Sequence, residues 1–342
     1  MIITKERLMN VCQSFIIKEI NQDKSISGAF LTGSMLSDDP FLNGSTDIDL
    51  YLVHNNKCVF KREIVQISPE ITFDIYNVSY ETFEHPRDLR LNPWLGSDIC
   101  YRPILLYEKS HWFELMQSSV EANFFLPDLI IKRAHAYSYE ARKIWNFLNE
   151  NENINNGEYS HLYYEIIKNS VNSLFVLSGK PSSNRRIIYD LEEKTKKISF
   201  ENICGEIYRL LIGDKDPEPY FQYYYNAWCY YIDYFGKSGL GNIYTEYNLA
   251  RKDYFTKPVE YFWQKQLIIS LWIMGKTWSD ISYIMKSYEN EFFISFGMIT
   301  KTNIEFRIDR LKQLDYVLDL IDKYLDKWSL DHGIEDTTKI IL

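Results

Sequence analysis

A short strand that carries two acids constrains this chain more than any other stretch. Residues 46–53 read TDIDLYLV, so that Asp47 and Asp49 alternate with apolar residues. Aspartate is among the poorest strand formers, and its presence here needs a compensating reason. Side chains of a strand alternate between its two faces, so both carboxylates project to one side while Ile48, Leu50 and Leu52 enter a core. Two carboxylates therefore share one small patch.

A second acidic strand is predicted at residues 71–76, ITFDIY. Ile71, Phe73 and Ile75 lie on one face of it and Asp74 on the other, so a neighbouring strand would bring Asp74 beside the first pair. Three crowded carboxylates raise one another's pKa unless a cation lies between them. Mg²⁺ is the obvious candidate, because it prefers hard oxygen ligands.

A glycine-serine turn precedes the acidic strand. The apolar run Ala29-Phe30-Leu31 leads into Thr32-Gly33-Ser34. Glycine permits close approach of the backbone and serine offers a hydroxyl, which together suit the binding of a phosphate. Taken singly, such a turn or an Asp-x-Asp pair is common and is compatible with solvated acids on edge strands. The ordered set is more specific.

The order Gly33-Ser34, Asp47-Ile48-Asp49 and Asp74 resembles the DNA polymerase β-like nucleotidyltransferase superfamily, and in it the aminoglycoside and lincosamide nucleotidyltransferases. The resemblance covers the first third of the chain. It implies that Asp47 and Asp49 bridge metal and triphosphate, and that Asp74 holds the metal near the acceptor hydroxyl or helps to deprotonate it. The three acids would thus be both the catalytic and the metal-binding residues, with two Mg²⁺ ions. Gly33 and Ser34 would hold the β and γ phosphates.

The hydrophobic periodicity predicts an α+β protein of two domains. An N-terminal nucleotidyltransferase-fold mixed sheet with flanking helices is expected over residues 1–110, and an all-helical acceptor-binding domain over residues 111–342. In the first domain, residues 82–98 contain Pro86, Pro93 and Gly96 and are predicted to be irregular. In the second, helices are predicted at 112–123, 127–150, 158–178, 187–196, 200–212, 217–236, 257–275, 278–288 and 305–329.

A basic turn between two predicted helices is a second candidate for triphosphate binding. It reads SGKPSSNRR over residues 178–186 and gathers Lys180, Arg185 and Arg186. Antibiotic-modifying nucleotidyltransferases often have a similar helix, basic turn and helix, so the resemblance assigns Lys180 and Arg185 to the nucleotide. A solvated interhelical loop is the alternative.

Several residues of the helical domain stay open in role. Glu121, Glu140 and Glu165 are each available as an acceptor base, and the sequence does not choose among them. The histidines show no metal-ligand spacing and are predicted to be surface or satisfied core residues. The aromatic runs at 221–235 and 259–264 favour helical core over a base-stacking cleft.

Charge and cysteine usage narrow the partners and the compartment. The chain has 47 acidic against 38 basic residues, a net charge of −9 and no Lys/Arg block, so binding of long nucleic acid is not expected. A small cationic acceptor suits this acidity better. The cysteines are odd in number and lack C-x-x-C spacing (Cys12, Cys58, Cys100, Cys204 and Cys229), which fits a reducing cytoplasm. Neither a signal peptide nor a membrane span is apparent.

The expected function is Mg²⁺-dependent transfer of a nucleoside monophosphate, AMP from ATP being favoured, to a hydroxyl of a small molecule such as an aminoglycoside-type antibiotic, with release of pyrophosphate. An alternative is a nucleotidyltransferase of a toxin-antitoxin or defence system that acts on a protein or RNA. A third hypothesis is a degenerate fold that serves as an interaction module, against which the three intact acids speak. The oligomeric state is left open.

Overall fold

The computed structural model describes residues 4–37, 39–56, 61–286 and 291–334; Cys58 lies outside these ranges. The chain divides into two compact units. Unit 1 comprises Met1–Phe125 and Gly239–Pro258, and unit 2 comprises Leu126–Ser238 and Val259–Leu342. The boundary expected at residue 110 differs from this division. Residues 111–125 belong with the sheet, as does a segment that returns to unit 1 more than a hundred residues later.

Five strands in the described part of unit 1 form one mixed sheet in the order β3-β4-β2-β1-β5. β2 and β4 pair in parallel, and the other neighbouring strands pair in antiparallel fashion. The strands are β1 (Ile26–Leu31), β2 (Thr46–His54), β3 (Lys61–Ser68), β4 (Ile71–Ser79) and β5 (Ile104–Glu108). The strands predicted over residues 46–53 and 71–76 correspond to β2 and β4, and the α+β fold is confirmed.

Each face of the sheet has its own core. On one face, helix α1 (Lys5–Gln22) buries Leu8, Cys12 and Ile16 against the apolar residues that alternate with the acids, among them Ile48 and Leu50. On the other face, Phe30, Tyr51, Val53 and Val78 pack against the helices that follow β4. These are α2 (Pro86–Leu91), α3 (Leu95–Cys100) and α4 (Trp112–Phe124). Asp47 and Asp49 lie on this second face as well, nearer the start of β2 than Tyr51.

The prediction of an irregular surface over residues 82–98 is wrong, because this interval contains α2 and most of α3. Pro86 occupies the start of α2, where proline is favourable since its missing N–H has no partner to lose there. Gly96 lies inside α3, where a β-carbon would come within 2.1 Å of the carbonyl oxygen of Leu89. Pro86 thus serves the start of α2, and Gly96 serves the close packing of α3 against α2.

Among its described residues, unit 2 consists of helices joined by loops. Its helices are α5 (Pro127–Glu150), α6 (Asn156–Ser178), α7 (Ile187–Lys197), α8 (Ile203–Leu211), α9 (Phe221–Lys237), α12 (Leu267–Met285), α13 (Glu291–Thr300) and α14 (Arg307–Asp331). The short α10 (Leu240–Ile243) belongs to unit 1, and α11 (Lys252–Phe262) begins there and continues into unit 2. The bounds of the helices predicted at 257–275 and 278–288 are wrong. α11 ends at Phe262, and α12 begins at Leu267 and continues without a break through residues 276–277. None of the helices in the described ranges combines the length and apolar character required to cross a bilayer.

Candidate active site

The pairing of β2 with β4 brings the three acids together. In the parallel register Asp49 lies opposite Asp74 and Asp47 lies opposite Thr72. One carboxylate oxygen from each of Asp47, Asp49 and Asp74 can be chosen so that all three oxygens lie within 4.8 Å of one another. Asp74 is 1% exposed and Asp47 is 6% exposed, so both are withdrawn from bulk water. The expectation that a neighbouring strand brings Asp74 beside the pair is confirmed.

The turn at Gly33 packs directly on this acidic group. Gly33 adopts a φ of +61°, and a β-carbon added to it would lie 1.8 Å from Oδ2 of Asp49. Only glycine combines this left-handed backbone with so close an approach. The hydroxyl of Ser34 donates to the backbone carbonyl oxygen of Asp47 at 2.8 Å. The turn therefore fixes the backbone around the acids, and phosphate binding by Gly33 and Ser34 stays a prediction.

Arg62 on the edge strand β3 holds Asp74 in a complete ion pair. Its Nε donates to Oδ1 of Asp74 at 2.7 Å and its Nη2 donates to Oδ2 at 2.6 Å. The hydroxyl of Tyr76 also donates to Oδ2, at 3.2 Å. Two parallel hydrogen bonds of this kind are the strongest pairing between arginine and carboxylate, so Asp74 is rigidly oriented.

A second arginine reaches the acids from the returning segment of unit 1. Nη2 of Arg251 donates to Oδ2 of Asp47 at 2.8 Å, and its Nη1 lies 3.3 Å from Oδ2 of Asp74. Arg251 is 3% exposed, and its guanidinium lies over the ring of Tyr254 at 4.3 Å from the centroid. The acids are thus partly neutralised by the buried guanidinium of Arg251 and the half-buried guanidinium of Arg62.

The surroundings of Asp49 and Asp74 shift the pKa values of these two acids in opposite directions. Burial alone would raise the pKa of Asp74, but the hydrogen bonds from Arg62 and the charge of Arg251 outweigh it and lower the pKa below the ordinary value. For Asp49, burial and then the charges of Asp47 and Asp74 raise the pKa well above the ordinary value. Asp49 therefore favours its protonated form more than Asp74 does.

The donor set fits a divalent cation. All three side chains offer carboxylate oxygens, which Mg²⁺ and similar hard ions prefer, and rigid strands carry them. Arg62 and Arg251 contact Asp74 and Asp47, and the pKa of Asp49 is raised, first by burial and then by the charges of Asp47 and Asp74. Arg251 contacts one carboxylate oxygen of Asp47 and one of Asp74, which are two of these three acids.

The basic turn of unit 2 is anchored by its own helix. Nζ of Lys194, on α7, donates to the carbonyl oxygen of Lys180 at 2.7 Å and to Oγ of Ser182 at 2.6 Å. Arg185 is 2% exposed and precedes α7 by two residues. Burial lowers the pKa of Lys194 to about 8. The turn is therefore ordered by contacts within unit 2, and binding of the nucleotide by Lys180 and Arg185 stays a prediction.

The three glutamates left open as acceptor bases differ in environment. Glu121 and Glu140 are exposed on α4 and α5. Glu165 is mostly buried on α6 and forms ion pairs with Lys168 and with Lys276, at 2.5 and 2.8 Å. Burial would raise its pKa, but the two lysines lower it, which makes Glu165 a weak base.

His161 is satisfied by neighbours in unit 2, as expected for a core histidine. Its Nδ1 lies 2.6 Å from Oδ1 of Asp280, and its ring stacks on Tyr283 at 4.3 Å between centroids. His161, Glu165 and Asp280 also offer three closely spaced donor atoms. Lys276 pairs with both of these acids, so an ammonium group already supplies the positive charge there.

Neither arginine of the acidic site was predicted from the sequence. Arg62 left a faint signal, because it is a charged residue that shares a strand face with Ile64, the residue opposite Asp74. Arg251 left none, because it lies 204 positions from Asp47 and in a stretch without strand or motif signals.

Comparison with solved structures shows a remote likeness. No protein-family model matches the chain, and no curated protein matches it at a significant level. A nucleotidyltransferase-like protein from Exiguobacterium sibiricum is similar in structure over 91% of each chain, with 10% sequence identity and a TM-score of 0.29. The chemistry of the site therefore has to be read from its own residues.

Proposed function

We propose that the protein is a metal-dependent nucleotidyltransferase whose active site is formed by Asp47, Asp49 and Asp74. The observation that carries this proposal is the convergence of the three carboxylates on adjacent parallel strands, with a glycine turn packed against them. So many buried acids in one place destabilise a fold, and retention of such a group favours a role in binding cations.

The residues of the site have different roles in this proposal. Asp47, Asp49 and Asp74 would hold the metal, with Mg²⁺ favoured and two ions expected. When bound, the metal supplies positive charge that stabilises the negative charge developing on a triphosphate during transfer. Arg62 keeps Asp74 oriented, and the turn at Gly33 keeps Asp49 in place. Such rigid positioning is what phosphoryl chemistry demands of a protein.

We propose further that the transferred group is a nucleoside monophosphate, AMP from ATP being favoured, and that pyrophosphate leaves. The acceptor would be a hydroxyl of a small molecule, such as an aminoglycoside-type antibiotic. A net charge of −9 supports a cationic acceptor over a long polyanion. In this proposal Lys180 and Arg185 contribute to binding the triphosphate, and the protein works in the cytoplasm.

The test is a screen of the four nucleoside triphosphates against a panel of aminoglycosides and other hydroxyl acceptors, with pyrophosphate release as the readout. Asp47→Asn and Asp49→Asn are expected to lower the rate roughly 100-fold or more. Asp88→Asn is the matched control, because Asp88 is an exposed acid on α2 of the same unit. The control is expected to keep full activity.

Two outcomes would change the proposal. Transfer that survives both Asp→Asn substitutions would show that the acidic site does not perform the reaction. Transfer of label from a nucleotide to protein or RNA in a cell extract, with none to the small acceptors, would retain the chemistry and replace the acceptor.

A further inference from the structure

Arg251 contacts two of the three carboxylates that would hold a divalent cation. Oδ2 of Asp47 accepts a hydrogen bond from Nη2 of Arg251 at 2.8 Å, and Oδ2 of Asp74 lies 3.3 Å from Nη1. Metal ions of the magnesium type bind oxygens at about 2.0–2.1 Å and tolerate little departure from octahedral geometry. A cation bound through these two oxygens would take the place of the guanidinium nitrogens, so it would require Arg251 to move.

The two arginines of the site differ in how completely they are paired. Arg62 directs two hydrogen bonds at one carboxylate, which is a closed arrangement. Nε and Nη1 of Arg251 are buried and have no hydrogen-bond acceptor among the described residues. A buried donor without an acceptor destabilises a fold, and native proteins seldom keep one without a reason. Arg251 is therefore the arginine that has capacity for another acceptor.

The chemistry of the guanidinium indicates what that acceptor is. Arginine presents several N–H groups in a planar fork that matches the oxygens of phosphate. The aromatic rings of Tyr254 and Phe255, at 4.3 and 5.9 Å from the guanidinium carbon, support it and exclude water. A polyphosphate that arrives with a metal would give Arg251 a new anion at the moment when the metal takes its carboxylates.

We propose that Arg251 is passed from the carboxylates to the triphosphate when metal and nucleotide bind together. In the free protein it acts as an internal cation that keeps Asp47 and Asp74 neutralised and hinders binding of metal alone. In the complex it is a triphosphate-binding residue. Binding of metal and of triphosphate is then mutually dependent. This inference rests on the proposed function, because it takes Asp47, Asp49 and Asp74 as the metal ligands.

The test uses the full chain and two probes that do not depend on the nucleobase. Binding of free Mn²⁺ is measured from the loss of the aqueous Mn²⁺ signal in electron paramagnetic resonance. Binding of the preformed complex of Mn²⁺ with inorganic tripolyphosphate is measured by calorimetry. For Arg251→Met we expect Mn²⁺ alone to bind at least tenfold more tightly than to the wild type, and the tripolyphosphate complex at least tenfold more weakly.

Two further variants separate charge from fold. Lys257→Met removes a positive charge from the same segment, where Lys257 pairs with Glu70 and Asp253, and is expected to change neither affinity more than twofold. Arg251→Lys keeps a buried charge, and this variant replaces Arg251→Met in the test if Arg251→Met does not fold. It is expected to bind Mn²⁺ alone within threefold of the wild type and the tripolyphosphate complex at least threefold more weakly, because an ammonium lacks the fork.

Opposite changes of the two affinities in Arg251→Met, or the stated pattern in Arg251→Lys, support the proposal. Unchanged affinities, or a parallel loss of both in a variant whose circular dichroism matches the wild type, overturn it. The proposed function fails separately: a wild type that binds both probes but transfers no nucleotide refutes the reaction and leaves the role of Arg251 intact.

Discussion

At the scale of single residues, Gly33 shows how strictly the acidic site limits its neighbours. Its φ of +61° lies in the left-handed region, and the place of a β-carbon is taken by the carboxylate of Asp49. Gly44 has a similar φ of +80°, but nothing lies within 4 Å of the place that a β-carbon would take there. The two glycines therefore share a backbone cost and differ only in crowding.

We predict that Gly33→Ala lowers the free energy of unfolding by roughly 2–4 kcal/mol, because alanine adds both strain and a clash with Asp49. Gly44→Ala is the matched control and should cost only about 1 kcal/mol. Urea unfolding followed by tryptophan fluorescence measures both. Equal losses in the two variants would show that the approach of Gly33 to Asp49 is not required.

At the scale of elements, α6 and α12 are joined by a buried charge cluster. Lys276 on α12 is 3% exposed and pairs with Asp280 on its own helix and with Glu165 on α6. Burial would raise the pKa of Asp280, but the charges of Lys276 and His161 outweigh it and lower the pKa. The pKa of Glu165 is lowered in the same way, by Lys276 and Lys168. Both acids are ionised only because cations face them.

We predict that Lys276→Met lowers the free energy of unfolding by about 3–5 kcal/mol at pH 7, because it leaves two acids buried without their shared cation. Since the folded-state pKa values of Asp280 and Glu165 are lowered, their stabilising contribution is complete above the unfolded values near about 4 and is lost as the pH falls below them. In the variant the acids can instead become neutral. The difference from the wild type should therefore shrink as the pH falls from 7 towards 4.

Chemical unfolding across this pH range measures the effect. The control is Lys168→Met, which removes the more exposed partner of Glu165 and should cost no more than about 1 kcal/mol. A penalty for Lys276→Met that is constant with pH would mean that packing of the lysine stem, and not its charge, joins the two helices.

At the scale of the whole molecule, unit 1 is built from two distant parts of the chain. Met1–Phe125 supplies the sheet, and Gly239–Pro258 supplies Arg251 and the buried aromatic residues Tyr247, Tyr254 and Phe255. Lys257 of the same segment pairs with Glu70, at the turn between β3 and β4. The segment thus completes both the acidic site and the packing beside the edge strand.

We predict that a fragment of residues 1–125 is less stable than a single chain in which residues 239–258 follow residue 125 through a flexible linker. The added segment should contribute roughly 2 kcal/mol or more, from burial of its aromatic residues and from the pairing of Arg251. Thermal melts followed by circular dichroism compare the two. Arg251→Met in the linked chain should remove much of the gain, and identical melts of both fragments would contradict the role of the segment.

The prediction of the sheet and its acids depends on patterns among residues that are close in the sequence. The alternation of Asp47 and Asp49 with Ile48 and Leu50 depends only on the two-residue period of a strand, so the sequence determined which side chains share a face. The α+β order of elements followed from the change of hydrophobic period along the chain. The prediction for residues 82–98 was wrong because Pro86 begins a helix there and Gly96 permits close helix packing. A count of turn-forming residues does not distinguish these roles from a loop.

Tertiary structure alone decided what faces the acids. The pairing of β2 with β4 set Asp49 beside Asp74, and the return of residues 239–258 set Arg251 against Asp47 across 204 positions. Strand alternation is encoded by neighbours along the chain, and so the sequence by itself determined the fold class and the three acids. The partner of a buried charge is chosen by the whole fold through space, because any basic residue of the chain could supply the guanidinium. Only the structure reveals that a buried arginine contacts two of the three acids.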